Sequence, residues 1–108
     1  MLYARPQAAP SFIAQCRTQR GSRFLIRVLD LSITGCLIER RGIGIAEGER
    51  FLIRLPGLTY LPSEILWVEG EEASLAFEQP LHEAVYMHLV SSILDDEHNR
   101  PSGSLSFG

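Results

Sequence analysis

From Ser11 to Phe77, apolar and polar residues alternate in short runs broken by turn residues, the pattern of half-buried β-strands. Ser11 to Thr18 alternates weakly and predicts a first strand. Gln19-Arg20-Gly21-Ser22 is a turn, and Arg23 to Leu31 returns as its hairpin partner. A third strand is expected over Gly35 to Glu39. Glycines at 42, 44 and 48 make residues 40–48 a loop that delivers the chain to a fourth strand, Arg50 to Leu55. Pro56-Gly57 breaks that strand. Leu58 to Glu69 predicts a long fifth strand, with Pro62 at a bulge or an edge position. Gly70 to Glu72 is a turn, and Ala73 to Phe77 is the last strand.

Beyond Phe77 the apolar spacing becomes helical. Pro80 suits a first helical turn, where its missing N–H costs nothing. Leu81, Ala84, Val85, His88, Leu89, Ser92 and Ile93 then recur at spacings of three and four as one apolar stripe. Asp95, Asp96 and Glu97 oppose the negative end of the helix dipole, so fraying is expected there. Many short strands with frequent turns predict a mainly β fold. Closure removes exposed strand edges, so the expectation is a small six-stranded antiparallel barrel with one C-terminal helix over an opening or flank. The expected organisation is a flexible arm at 1–9, the barrel and closing helix at 10–94, and a disordered tail at 95–108.

A chain of 108 residues, 45% apolar and 21% charged, fits one small globular domain. No apolar run approaches the ~18 residues of a membrane span, and no secretory signal is visible, so a cytoplasmic protein is expected. Cys16 and Cys36 are too few for a disulfide framework and fit no zinc spacing; they read as small buried hydrophobes. Charge is segregated. Residues 1–41 carry seven arginines against Asp30 and Glu39, net +5, while residues 42–108 carry three against eleven acids, net −8. All the basic residues are arginine, whose guanidinium fork suits phosphates and the guanine edge.

Enzymatic constellations are missing from the pattern. His82 and His98 fall in polar contexts, and His88 reads as a packing residue on the helical stripe. Ser32 has no nucleophile elbow and no neighbouring histidine. Glu71-Glu72 and Asp95-Asp96 read as solvated turn and helix-end residues, and Gly42-Ile43-Gly44 lacks the context of a dinucleotide loop. Trp67 is expected in the core. A small barrel that stacks single-stranded nucleic acid is disfavoured, because Phe12, Phe24, Phe51 and Phe77 fall in core-like strand positions and the net charge is −3.

The hexapeptide Asp30-Leu31-Ser32-Ile33-Thr34-Gly35 lies between two of the expected strands. Asp and Ser fold short side chains onto nearby backbone N–H groups, and Gly tolerates positive φ, so a hairpin corner accounts for the composition by itself. The order Asp-x-Ser-x-x-Gly between apolar strands resembles the signature of PilZ domains, bacterial receptor modules for cyclic di-GMP. Arg27 to Ser32 is similar to that family's second strand, Gly57 to Trp67 and Ser74 to Phe77 to its late strands, and Pro80 to Val90 to its closing helix. The resemblance covers roughly residues 10 to 92. It implies a PilZ-like split barrel and a non-catalytic signalling module with no metal and no cofactor, taking cyclic di-GMP as ligand. It also implies a protein partner, with no nucleic-acid binding and no membrane insertion.

Carried over residue by residue, the resemblance sets Asp30, Ser32 and Gly35 around one guanine. Arg5 matches the first arginine of an Arg-x-x-x-Arg arm that grips guanine edges and phosphates. Here the arm reads Arg5-Pro6-Gln7-Ala8-Ala9, with alanine in place of the second arginine. One lost charge-assisted contact weakens binding roughly ten- to a hundredfold. The resemblance thus implies a partly degenerate site; Arg17, Arg20 and Arg23 of the first hairpin are candidate substitute cations, but their spacing does not reproduce the motif. The alternative is an interaction adaptor that keeps the barrel and does not bind the nucleotide.

Overall fold

A computed structural model describes residues 11–99, with side chains to residue 94. The expected arm at 1–9, including Arg5, and the chain beyond Asn99 lie outside the described residues. Six strands form: β1 (Phe12–Thr18), β2 (Arg23–Leu31), β3 (Gly35–Glu39), β4 (Arg50–Arg54), β5 (Tyr60–Glu69) and β6 (Glu72–Phe77). All neighbours are antiparallel, and the sheet closes on itself in the order β1-β2-β3-β6-β5-β4. Closure leaves no strand edge open to pair with another chain. The six-stranded antiparallel barrel with one C-terminal helix is the architecture expected from the alternation.

Inward-facing Ala14, Cys16, Ile26, Val28, Cys36, Ile38, Phe51, Ile53, Ile65, Ala73, Leu75 and Phe77 fill the barrel. Half-buried Phe24 meets Phe51 edge-on at 5.5 Å, a favoured aromatic geometry. The one buried polar residue among those described, Ser63, donates its hydroxyl to the Leu61 carbonyl at 3.1 Å. The loop after β3 returns Ile45 to the core. Pro62 pairs with Leu52 of β4, while β6 reaches only as far as Ser63. On the β6 side Pro62 therefore needs no N–H, and its carbonyl accepts from Glu78 at 2.9 Å.

The helix α1 (Glu83–Asn99) begins later than Pro80 suggests. Its first turn is capped by His82, whose Nδ1 accepts the Ala84 N–H at 3.1 Å, with Glu83 at the positive end of the dipole. Pro80 lies in the connection instead. The helix continues to Asn99, through the acidic residues at which the sequence predicts fraying. On its inward side the helix sets half-buried Val85, Tyr86, Val90 and Ile93 around the buried Leu89, with half-buried Leu81 just before its start; Ala84, His88 and Ser92 are exposed. His88 is thus not a packing residue. Turning the helix toward Tyr86 and Val90 buries more apolar surface than Ala84 and Ser92 offer, and burial area decides such a rotation.

Two features of the core generate predictions. A Cβ placed on Gly35 would lie 2.0 Å from the Leu75 carbonyl oxygen, so β3 and β6 approach there closely enough to require glycine. Gly35→Ala should cost about 1–3 kcal/mol or more in chemical denaturation, because backbone has to move. Burial of Cys16 pushes its thiol up to about 12; burial, then the neighbouring Cys16 and Asp30, pushes Cys36 up as well. Both therefore stay neutral where unfolded thiols ionise. Their contribution to stability is intact below the ordinary value of 9.0 and is lost as pH rises above it. Iodoacetamide at pH ~8 should modify neither thiol in the folded chain and both in denaturant, because only exposed thiolate reacts readily.

Candidate functional site

The signature forms a tight bend between β2 and β3. The Ser32 N–H donates to the Gly35 carbonyl at 2.8 Å, closing the turn. Ser32 Oγ accepts the Thr34 and Gly35 N–H groups, both at 3.2 Å, and lies 3.2 Å from the Gly35 carbonyl. Asp30 Oδ1 accepts the Leu31 N–H at 2.9 Å. Ser32 thus organises the bend itself, as its short side chain predicts. Gly35 does not use positive φ: its conformation is outside the left-handed region, and close approach to β6 is what excludes a side chain.

The outer carbonyls of the bend are held from the C-terminal side. Thr34 O accepts Phe77 N–H at 2.9 Å, Ile33 O accepts Leu81 N–H at 2.8 Å, and Leu31 O receives the Tyr86 hydroxyl at 3.4 Å. The β6–α1 connection and the first turns of the helix therefore buttress one side of the bend. Its other side is open.

That open side belongs to a groove of about 350 Å³ on the outer surface of β2, β3, β6 and β5. Its lining includes Asp30, Ser32, Thr34, Gly35, Leu66 and Trp67. The ladder register explains how residues distant in sequence meet there. Asp30 pairs with Leu37, Leu37 with Ser74, and Ser74 with Trp67, one continuous cross-strand row over four strands. Two bulges make this row. On β2 the inward series Ile26, Val28 would take Asp30 into the core, but the register shifts between Val28 and Asp30 and turns the carboxylate outward. On β5 the inward series Ser63, Ile65 would take Trp67 into the core, and the shift between Ile65 and Trp67 likewise reverses it.

Trp67 is therefore 39% exposed, and Leu66, the additional residue of the bulge, is 54% exposed. The core position expected for Trp67 is corrected: simple alternation from Ile65 fails because one residue is inserted. Sequence reading missed both residues as site components. The unbroken apolar run Ile65-Leu66-Trp67-Val68, where a half-buried strand would alternate, is the signal that marks them.

Of the sequence-derived candidates, Asp30, Ser32 and Gly35 come together at the groove, and Arg5 lies outside the described residues. The described lining contains no arginine. Arg17, Arg20 and Arg23 do not supply substitute cations there, because β1 and the start of β2 place them on a different face of the barrel. The nearer Arg27 is engaged elsewhere, with Glu39 at 3.6 Å and with Ser11 Oγ at 3.3 Å. No group of three or more metal-ligating side chains occurs among the described residues.

Comparison with curated proteins finds no match. The profile of the PilZ domain matches residues 3–95, a span that takes in all six strands, the bend and most of the helix. The chain therefore belongs to the PilZ domain family.

Proposed function

We propose that the groove beside the bend is a cyclic di-GMP site and that the chain is a non-catalytic signalling module. Membership of a receptor family supports the general activity. The observation that carries the placement is the cross-strand row that aligns Asp30 with Trp67. A guanine edge presents N–H donors, which a carboxylate accepts, while its face stacks on an exposed indole. Asp30 takes the edge and Trp67 the face, with Leu66 covering the apolar side. Ser32 and Gly35 act by shape: the hydroxyl holds the bend, and the bare Cα lets β3 lie flat against β6. The family resemblance assigns the phosphates to Arg5.

A second reading is favoured by one observation, the lack of any cation in the described lining. With Ala9 in place of the arm's second arginine, a weakly binding or ligand-free adaptor keeps the same barrel. Affinity decides between the two.

Isothermal titration of the full chain with cyclic di-GMP should give a saturable heat and quench Trp67 fluorescence. Trp67→Ala and Asp30→Ala should each weaken binding about tenfold or more, since stacking on an aromatic and a charged hydrogen bond each contribute about 1–3 kcal/mol. Arg5→Ala should weaken it further still. Absence of heat at high nucleotide concentration, with an intact melting transition, would abandon the receptor reading for the adaptor. Ser32→Ala should lower stability by about 1 kcal/mol without ligand, by loss of its two N–H contacts.

A further inference from the structure

The arginines of the first hairpin form a surface that the groove does not use. On the outer face of β4, β1 and β2, Arg17 stands directly opposite Arg23 in the β1–β2 ladder, with Leu52 on its other side. The next outward row runs Arg54, Gln15, Leu25. Arg20 lies in the turn that joins β1 to β2. Among the described residues, the guanidinium groups of Arg17, Arg20 and Arg23 have no ion-pair or hydrogen-bond partner, and that of Arg54 has only a contact from its Nε to the Leu58 carbonyl at 3.3 Å.

Like charges directly opposite one another in a ladder oppose folding. No acidic side chain on either strand relieves them before Asp30, which faces the groove. A frame of unpaired guanidinium groups that opposes its own fold is explained by an anion from outside. Between these arginines lie Gln15, whose Oε1 accepts the Tyr60 hydroxyl at 3.4 Å, and exposed aliphatic side chains. Leu25 is 62% exposed and Ile13 48% exposed. Shallow depressions of about 270 Å³ and 210 Å³ flank Leu25, the first lined by Gln15, Arg23, Phe24 and Leu25.

We propose that this face docks an acidic protein segment carrying an aliphatic anchor. Arg17, Arg23 and Arg54 take its carboxylates, and Leu25 packs against the anchor. Arginines beside exposed aliphatic side chains that a partner can desolvate are the composition of interface hot spots. Single-stranded nucleic acid fits less well, because the large exposed apolar side chains of this face, Leu25 and Ile13, are aliphatic and offer no stacking platform. An anionic membrane or long polyanion also fits less well, because the rest of the chain is strongly acidic and repels extended negative surfaces. A short segment with a few carboxylates matches the size of the patch. The groove lining shares no residue with this face, so the inference stands whether or not the nucleotide binds.

The test uses the full chain, isotopically labelled, titrated with the peptide Glu-Glu-Leu-Asp-Glu-Leu-Leu-Glu-Glu. Saturable amide shifts are expected at Arg17, Arg23, Leu25 and Arg54, with none around Trp67. The same peptide with serine for leucine should bind about tenfold more weakly, as should Leu25→Ser with the original peptide. Arg17→Glu is the decisive variant. It replaces a repulsive cross-strand pair by an attractive one, so the melting temperature should hold or rise while peptide binding falls at least tenfold. A merely structural role would not separate these two readouts. No saturable response at millimolar peptide overturns the proposal, as do shifts confined to the Trp67 groove. Preferential binding of oligothymidylate or phosphatidylglycerol vesicles at this face would also overturn it. Concentration-dependent self-association abolished by Arg17→Glu would overturn it in favour of a second copy of the chain.

Discussion

Two inserted residues decide what this barrel presents to solvent. A closed sheet of strict alternation has one inside and one outside, and every side chain is assigned by parity. On β2 and β5 the parity predicted from the buried isoleucines places Asp30 and Trp67 inside. A carboxylate in an apolar interior would be heavily penalised unless paired, and an indole there would displace several of the aliphatic side chains that fill it. The bulges at Leu29 and Leu66 avoid both penalties and deliver the two residues to one outward row. They flank the regular β3–β6 pair, which carries the row across without interruption. Outer-surface chemistry thus depends on local loss of regularity within a ladder that is otherwise complete.

The bend gains its rigidity from two sources that act on different atoms. Ser32 satisfies the N–H groups inside the turn, while the β6–α1 segment satisfies carbonyls at Leu31, Ile33 and Thr34. Buried or half-buried backbone polar groups are thereby paired on both sides of the chain. The connection before the helix is joined to the bend through Leu81 and the helix through Tyr86, and the helix anchors in the core through Leu89. Displacing the bend would strain these bonds, so the groove wall and the helix start are mechanically connected.

Most of the architecture was legible in the sequence because parity and turn chemistry were consistent along the chain. β2 and β3 are bounded as Arg23 to Leu31 and Gly35 to Glu39 predict, and the remaining strands shift by one or two residues at their ends. Reading failed where a local rule had a tertiary competitor. Trp67 was lost to a bulge whose local trace is the unbroken apolar run Ile65 to Val68, while the residue it is brought to face is set by the register. Ala84 and His88 satisfied helical spacing, yet Tyr86 and Val90 took the inward face because they offer more apolar surface. The conformational reason for a glycine at 35 differs from the expected one: it answers to the Leu75 carbonyl, not to its own φ. The motif residues were visible as a set because they lie within one turn. Leu66 and Trp67 join them only through the β3–β6–β5 register, which is long-range information.

Segregation of charge along the sequence becomes segregation in space because the barrel is wound from short sequential hairpins. β1 and β2 pair locally and share a face with β4, so the basic residues of the first hairpin remain together. Later acidic residues fall mostly on the loop before β4, on β5 and around the β5–β6 turn. Ion pairs form within each segment, Arg27 and Arg41 with Glu39 in the first and Arg50 with Glu78 in the second. Such exposed pairs contribute little to stability, typically under about 1 kcal/mol. Their consequence is rather to leave the remaining arginines concentrated on the β4–β1–β2 face. A rigid β2 is common to both regions, with Arg23 and Leu25 near its start and Asp30 near its end. The same strand therefore serves two surfaces of opposite character, and its bulge is what separates them.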